Sequence, residues 1–300
     1  MHRRDWLRWC AAGGLTLVSW PFPRSWSAER ERRPHVLFFT KSSGYEHAVV
    51  HRQGGQLAHA ERVLTELGRQ AGFDVTATKD GRIFDQDLDR FDVVFFYTTG
   101  DLTQPGTDKQ PPISKRGLRN LLDAVHNGLG FLGSHCASDS FHSPGPRNQN
   151  QPPEQRTPYI RMLGGEFIVH GRQQKAVMRV VDQAFPGCGS LGRQFELLEE
   201  WYALKNFAPD LHVILVQETK GMVGPMYQRP PYPATWARMH GKGRVFYTSM
   251  GHRADVWTNP LFQELIKGAI AWCSGQVEAH VAPNIDRVTP HADQLGPSRS

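Results

Sequence analysis

The segment from Ser114 to Phe141 limits the folds open to this chain more than any other. Leu118, Leu121, Leu122 and Val125 recur in it at helical spacing. Asn127-Gly128 then stops the helix, since glycine enters left-handed backbone without steric cost. An apolar strand, Gly130-Phe-Leu-Gly-Ser134, follows and runs directly into the small-residue turn His135-Cys-Ala-Ser-Asp139. A helix feeding a buried strand that ends in a sharp turn is a unit of an α/β sheet, and open sheets of that class hold ligands at the carboxyl edge of their strands. The turn therefore predicts the floor of a site, with His135 at its tip.

The pattern recurs along the chain. His35–Thr40 is a near-continuous apolar run, as expected of a strand buried on both faces. A polar loop, Lys41–His47, leads to a helix with Leu57, Val63, Leu64 and Leu67 on one face, ending near Gly72. Further strands are predicted over Phe73–Thr78, Asp92–Thr98, Phe167–Val169, Ala176–Val181, His212–Val216 and Arg244–Thr248. Asn259-Pro260 opens a last helix that buries Phe262, Leu265, Ile266, Ala269 and Ile270. The expected fold is a single doubly wound α/β domain over residues 34–275, with a mostly parallel sheet and helices on both faces. Residues 143–158, rich in Pro, Gln and Asn, read as a long loop beside the turn. Residues 276–300 read as a polar tail that frays.

A hydrophobic fraction of 39% with 21% charged residues is that of an ordinary globular chain. Of the net charge of +6, residues 1–27 carry four arginines and one aspartate, so 6 − 3 = +3 remains on the rest, too little to point to nucleic acid. His2-Arg3-Arg4-Asp5-Trp6-Leu7-Arg8 resembles a twin-arginine export motif, and Ser25-Trp26-Ser27 offers a cleavage site before Ala28. The apolar stretch between, Cys10–Trp20, falls short of the roughly 18 to 20 residues that span a bilayer. A signal segment over residues 1–27, a periplasmic or secreted mature chain and no permanent membrane span are the expectations. Cys136, Cys188 and Cys273 remain after cleavage, an odd number that implies no complete disulfide framework.

The chain has fourteen histidines, and His47, His135, His170 and His252 each fall after a predicted strand or close one. In a parallel sheet such positions meet on one rim. Glu199-Glu200-Trp201-Tyr202 adds carboxylates beside aromatic rings, a combination suited to the mixed apolar and hydroxyl surface of a sugar. Two chemistries stay open for these residues. One is proton transfer, with His135 as acid or electrophile and Glu200 as base. The other is a divalent metal such as zinc, held by histidines from separate loops, with His47, His135, His170 and His252 as candidates, together with a carboxylate.

Five ordered motifs resemble those of the ThuA-like (trehalose utilisation) family: Thr40-Lys-Ser-Ser-Gly-Tyr-Glu-His47, Gly133-Ser-His-Cys-Ala-Ser-Asp139, Gly164-Gly-Glu-Phe-Ile-Val-His170, Glu199-Glu-Trp-Tyr202 and Gly241–His252. The resemblance runs from about residue 35 to 274. It implies a flavodoxin-like fold of the class I glutamine amidotransferase type and a role in sugar metabolism, with 3-keto derivatives of disaccharides or glycosides as the substrate class. In the amidotransferases the turn carries a nucleophilic cysteine. Here His135 stands at that position, Cys136 comes one residue later, and no late His-x-Glu pair completes a triad, so glutaminase activity is not expected. The expected catalytic residues are His135, Glu200 and Asp139, the last orienting the turn. Ser43, Tyr45, His47, His170, Tyr202 and His252 are the expected substrate contacts. A non-catalytic scaffold that binds a sugar or a partner is the alternative from a different class.

Overall fold

A computed structural model describes residues 32–297; the export segment expected over residues 1–27 lies outside the described residues. Strands β1 (His35–Phe39), β2 (Asp74–Thr78), β3 (Val93–Phe96) and β4 (Gly130–Ser134) are laid side by side in the order β2-β1-β3-β4, all parallel. Every residue of β3 and β4 is buried, which is why these segments are apolar throughout rather than alternating. Their connections are helix α1 (His59–Ala71), a 3₁₀ turn at Gly81–Asp85 and helix α2 (Lys115–Asn127). The Ser114 hydroxyl caps α2 by accepting from the Gly117 N–H, and Gly128 leaves it at φ 131°. Leu121 and Val125 carry its buried stripe. Leu57 precedes α1 and is exposed; the helix starts at His59, where the Glu61 carboxylate accepts from the Ala58 N–H, and Leu64 and Leu67 form its buried side.

After β4 come helix α3 (Pro158–Leu163) and strands β5 (Glu166–His170), β6 (Gln174–Val180), β7 (Gln194–Glu199), β8 (Tyr202–Lys205), β9 (His212–Gln217), β10 (Tyr232–His240) and β11 (Gly243–Thr248). Strand β11 returns to lie parallel to β4, which completes the flavodoxin-like order 2-1-3-4-5 with β11 in fifth place. Beyond it β10, β9, β6 and β7 extend the sheet antiparallel to nine strands, while β5 and β8 pair as a separate antiparallel ribbon. Short helix α4 (Ala254–Trp257), helix α5 (Pro260–Cys273) and helix α6 (Ile285–Val288) close the chain. Helix α4 packs against α1 and α5, while α3 packs against α2, so the sheet carries two groups of helices.

Strands β7 and β10 have weak sequence signatures for separate reasons. Strand β7 is a half-exposed edge, and β10 contains Pro233, which sits where the β9–β10 register shifts. The loop after the turn is not a loose excursion. The buried Lys205 ammonium donates to the Pro146 and Gln149 carbonyls, and the Asn206 side chain accepts from the Gln151 N–H. Nor does the polar segment after Gly275 fray as expected. Asn284 pairs through its side chain with both the N–H and the C=O of Val213, Arg229 donates to the Ala292 carbonyl, and Ile285 and Ala292 are buried. These long-range contacts replace the local apolar periodicity by which a helix is normally recognised.

Candidate active site

The parallel strands deliver the site. His47 lies in the loop after β1, His135 follows β4, and His252 follows β11. The strand order reverses between β1 and β3, and ligands of doubly wound sheets bind outside the strand ends at such a point. His135 adopts φ 46°, the left-handed backbone of a tight elbow, which costs a non-glycine residue of order 1–2 kcal/mol. Surrounding groups hold it there. The Tyr247 hydroxyl donates to the His135 carbonyl at 2.8 Å, and the Tyr159 hydroxyl donates to the Ala137 carbonyl at 2.9 Å. The His135 ring is wholly buried, with Nδ1 3.0 Å from the Ser249 carbonyl oxygen. A carbonyl only accepts, so Nδ1 carries the proton and Nε2 faces the site.

Glu200 is the hub. Its carboxylate lies 3.6 Å from His135 Nε2, 3.1 Å from His252 Nδ1 and 3.3 Å from His170 Nδ1. Burial pushes its carboxyl up, but the neighbouring His135 and His252 imidazoles outweigh that and hold it well below the usual carboxylate range. His47 completes the group: one ligand atom each from His47, His135, Glu200 and His252 lies within 4.8 Å of the others. Burial, then the neighbouring His135 and His252, pushes His47 well down, so its imidazole is neutral. Its buried Nδ1 has no hydrogen-bond partner.

Aromatic rings wall the centre. Tyr202 lies 4.0 Å from the His135 ring and 4.2 Å from Phe167, and His170 stacks on Tyr202 at 6.0 Å. Exposed Tyr45 meets His47 edge-on at 5.0 Å. A cleft of about 530 Å³ bordered by Gln173, His59 and Arg253 reaches the group at His252.

Two expected residues lie apart from the cluster. Asp139 pairs with His142 at 2.6 Å and Arg147 at 3.2 Å rather than with any of the four histidines. The Ser43 hydroxyl points to the Gln104 carbonyl. The sequence reading passed over Glu199, which is wholly buried and receives three backbone N–H groups at 2.7 Å: Gly251 and His252 on Oε1, Glu200 on Oε2. Adjacent residues of an extended chain point to opposite sides, so one of two consecutive glutamates enters the site and the other ties down the backbone behind it. Cys136 is buried, and its thiol is pushed well up by burial and then by Asp139, which makes it a poor nucleophile.

The family model for ThuA, trehalose utilisation, matches residues 35–273. The chain belongs to the ThuA family. Among solved structures it is similar to a putative ThuA-like protein from Bacteroides uniformis ATCC 8492, at 18% identity and TM-score 0.56, over 84% of this chain and 95% of that one. A putative ThuA-like protein from Parabacteroides merdae ATCC 43184 is similar to the same degree, at 18% identity and TM-score 0.56, over 88% and 97%. An alpha-L-fucosidase isoenzyme 2 from Paenibacillus thiaminolyticus shares the fold over 82% of this chain and 33% of its own, at 11% identity and TM-score 0.51. No curated protein matches the chain. The ThuA fold seen here is α/β, and among the described residues no helix is long and apolar enough to cross a membrane.

Proposed function

We propose that this ThuA family member acts on an oxidised carbohydrate, a disaccharide or glycoside carrying a 3-keto group, by proton-transfer chemistry of lyase or hydrolase type, and that residues 1–27 address it for twin-arginine export to the periplasm or beyond. The observation that carries the reading is the convergence of His135, His170 and His252 on the single carboxylate of Glu200, beside the ring of Tyr202. A ketone at C3 acidifies the proton on C2. A base removes that proton, the electron pair forms the C1–C2 double bond, the C1–O bond breaks, and the departing oxygen takes up a proton; addition of water to the double bond would give net hydrolysis.

Glu200 is a weak base while His135 and His252 hold it ionised, so the proton passes on to His135 Nε2, the ring nitrogen that faces it once Nδ1 donates to the Ser249 carbonyl. His170, the most exposed of the four histidines, touches the other Glu200 oxygen through Nδ1 and holds the carboxylate from its solvent side. His135 and His252 face the developing oxyanion. Exposed Tyr45, set edge-on to His47, supplies ring surface for the apolar face of a sugar, while buried Tyr202 and Phe167 back the His135 ring.

Turnover of 3-keto disaccharides, followed as loss of substrate beside the unoxidised sugars, tests the reading. Wild type consumes the keto sugar alone, and Glu200→Gln lowers kcat by about 10²-fold or more. A wild type that binds keto sugars and turns none over would reduce the protein to a sugar-binding scaffold. Fractionation of cells expressing the Arg3→Lys/Arg4→Lys double variant tests export, with retention in the cytoplasm expected.

A further inference from the structure

We infer that His135, His252 and Glu200, with His47 as fourth ligand, form a binding site for one divalent transition-metal ion of the zinc class. This goes beyond the carbohydrate reading and does not depend on it.

The spacing carries the inference. His135 Nε2, His252 Nδ1 and Glu200 Oε2 form a triangle with sides of 3.2, 3.1 and 3.6 Å. Ligands about 2.05 Å from a tetrahedral zinc are separated by roughly 3.3 Å, so the triangle has nearly the dimensions of one face of such a site. Hydrogen bonds alone account for it poorly. A proton on His252 Nδ1 can point at Glu200 or at His135 Nε2 but not at both, and at least one close contact is then left between two lone pairs. A cation bound to all three atoms satisfies the whole triangle.

The protonation pattern agrees. Metal-bound imidazole must present a lone pair, and its other nitrogen is normally engaged by a carbonyl or carboxylate. The Ser249 carbonyl engages His135 Nδ1 and leaves Nε2 free toward the triangle. His47, whose ligand atom completes the group within 4.8 Å, has a buried Nδ1 without a partner. Behind the ligands, the Glu199 carboxylate holds the backbone N–H groups of both Glu200 and His252, so two of the four ligands share one anchor. Three imidazoles and one carboxylate suit zinc, iron(II), cobalt(II) or manganese(II) and do not suit calcium or magnesium, which take oxygen ligands.

The geometry narrows the ligand set expected from sequence, four candidate histidines with a carboxylate. Glu200 enters it, and His170 stays outside, touching the other Glu200 oxygen at 3.3 Å and the Gly171 carbonyl at 2.9 Å.

The test is metal content of the untagged chain by elemental analysis as purified, then titration of the chelator-stripped protein with cobalt(II), followed by its visible d–d absorption. One ion per chain and an intense four- or five-coordinate cobalt spectrum are expected. Glu200→Gln and His252→Asn should each weaken binding at least tenfold, Glu199→Gln by about 10- to 100-fold, and His170→Ala should leave it intact. A wild type that carries no ion and shows no cobalt band overturns the assignment, whatever the variants do. Metal retained undiminished by folded Glu200→Gln and His252→Asn overturns it as well, because the ion would then lie elsewhere. A metal-loaded wild type inert toward every keto sugar leaves the site standing and removes the proposed reaction instead.

Discussion

Glu199 shows how much of the site rests on a residue that never faces it. Its carboxylate is wholly buried, and three backbone N–H groups supply its compensation. Glutamine is nearly the same size but turns one acceptor into a donor, which must then oppose a backbone N–H. Glu199→Gln is expected to lower stability by about 2–3 kcal/mol, measured as the shift in urea midpoint at constant m-value. At the elbow, Cys136 makes the complementary point. Cys136, Cys188 and Cys273 are all buried, and burial first of all pushes the Cys188 thiol up to about 12. Native protein treated with iodoacetamide near neutral pH is expected to remain unlabelled at these three positions by peptide mapping and to label fully once unfolded.

At the scale of elements, the elbow after β4 and the loop after β11 fit against each other at a glycine. Gly251 has φ 123°, and a Cβ there would lie 2.6 Å from Ser134 Oγ. Gly251→Ala therefore meets both a forbidden backbone region and a clash, and is expected to cost about 2 kcal/mol or more and to displace His252. A drop in thermal midpoint together with loss of cobalt binding would show both effects.

Beyond the elbow, His142 links it to β5. Its Nε2 meets Asp139 at 2.6 Å and its Nδ1 meets Glu166 at 3.1 Å, while Arg147 also faces Asp139 and Lys205 lies 3.9 Å from Glu166. Burial alone would lower the His142 pKa; the two carboxylates outweigh burial and the repulsion from Arg147, and raise it. A raised folded-state pKa gives stability that is complete below the unfolded value of about 6.5 and lost as pH climbs through the folded one. The difference in thermal midpoint between wild type and His142→Gln is therefore expected to be larger near pH 6 than near pH 8.5; an equal difference at both would show that folding does not raise the His142 pKa. The elbow itself could be read from a strand running into small residues. The His142 link could not, because its second carboxylate lies 24 residues along the chain on another element.

For the whole molecule, the decisive fact is that β1, β4 and β11 run in the same direction, so that three loops distant in sequence open on one rim. If an ion binds there, it ties the ends of three strands together and stabilises only the folded state. The thermal midpoint of chelator-stripped protein is then expected to rise with added zinc in proportion to the logarithm of its free concentration above the Kd. No rise in wild type would oppose the metal assignment, and the same rise in Glu200→Gln would place the effect elsewhere.

The sequence by itself determined the α/β class, the parallel strands β1, β3, β4 and β11, the elbow and the histidines at the rim. Those features are local: apolar runs, helical spacing, stop signals and the residue that follows each strand are all readable within a dozen positions. It also held the five motifs by which the chain resembles its family. Only the tertiary structure decided which of these residues meet. It brought Glu200 between His135 and His252, set His170 at the exposed side, turned Asp139 toward His142, and assigned Glu199 to the backbone of β11's loop. It also packed the polar segment after Gly275 against β9 through Asn284. The physical reason is the same in each case. Side-chain direction at the end of a strand is fixed by pleat, register and the partners that neutralise buried polar groups, and those partners come from parts of the chain that no local pattern connects.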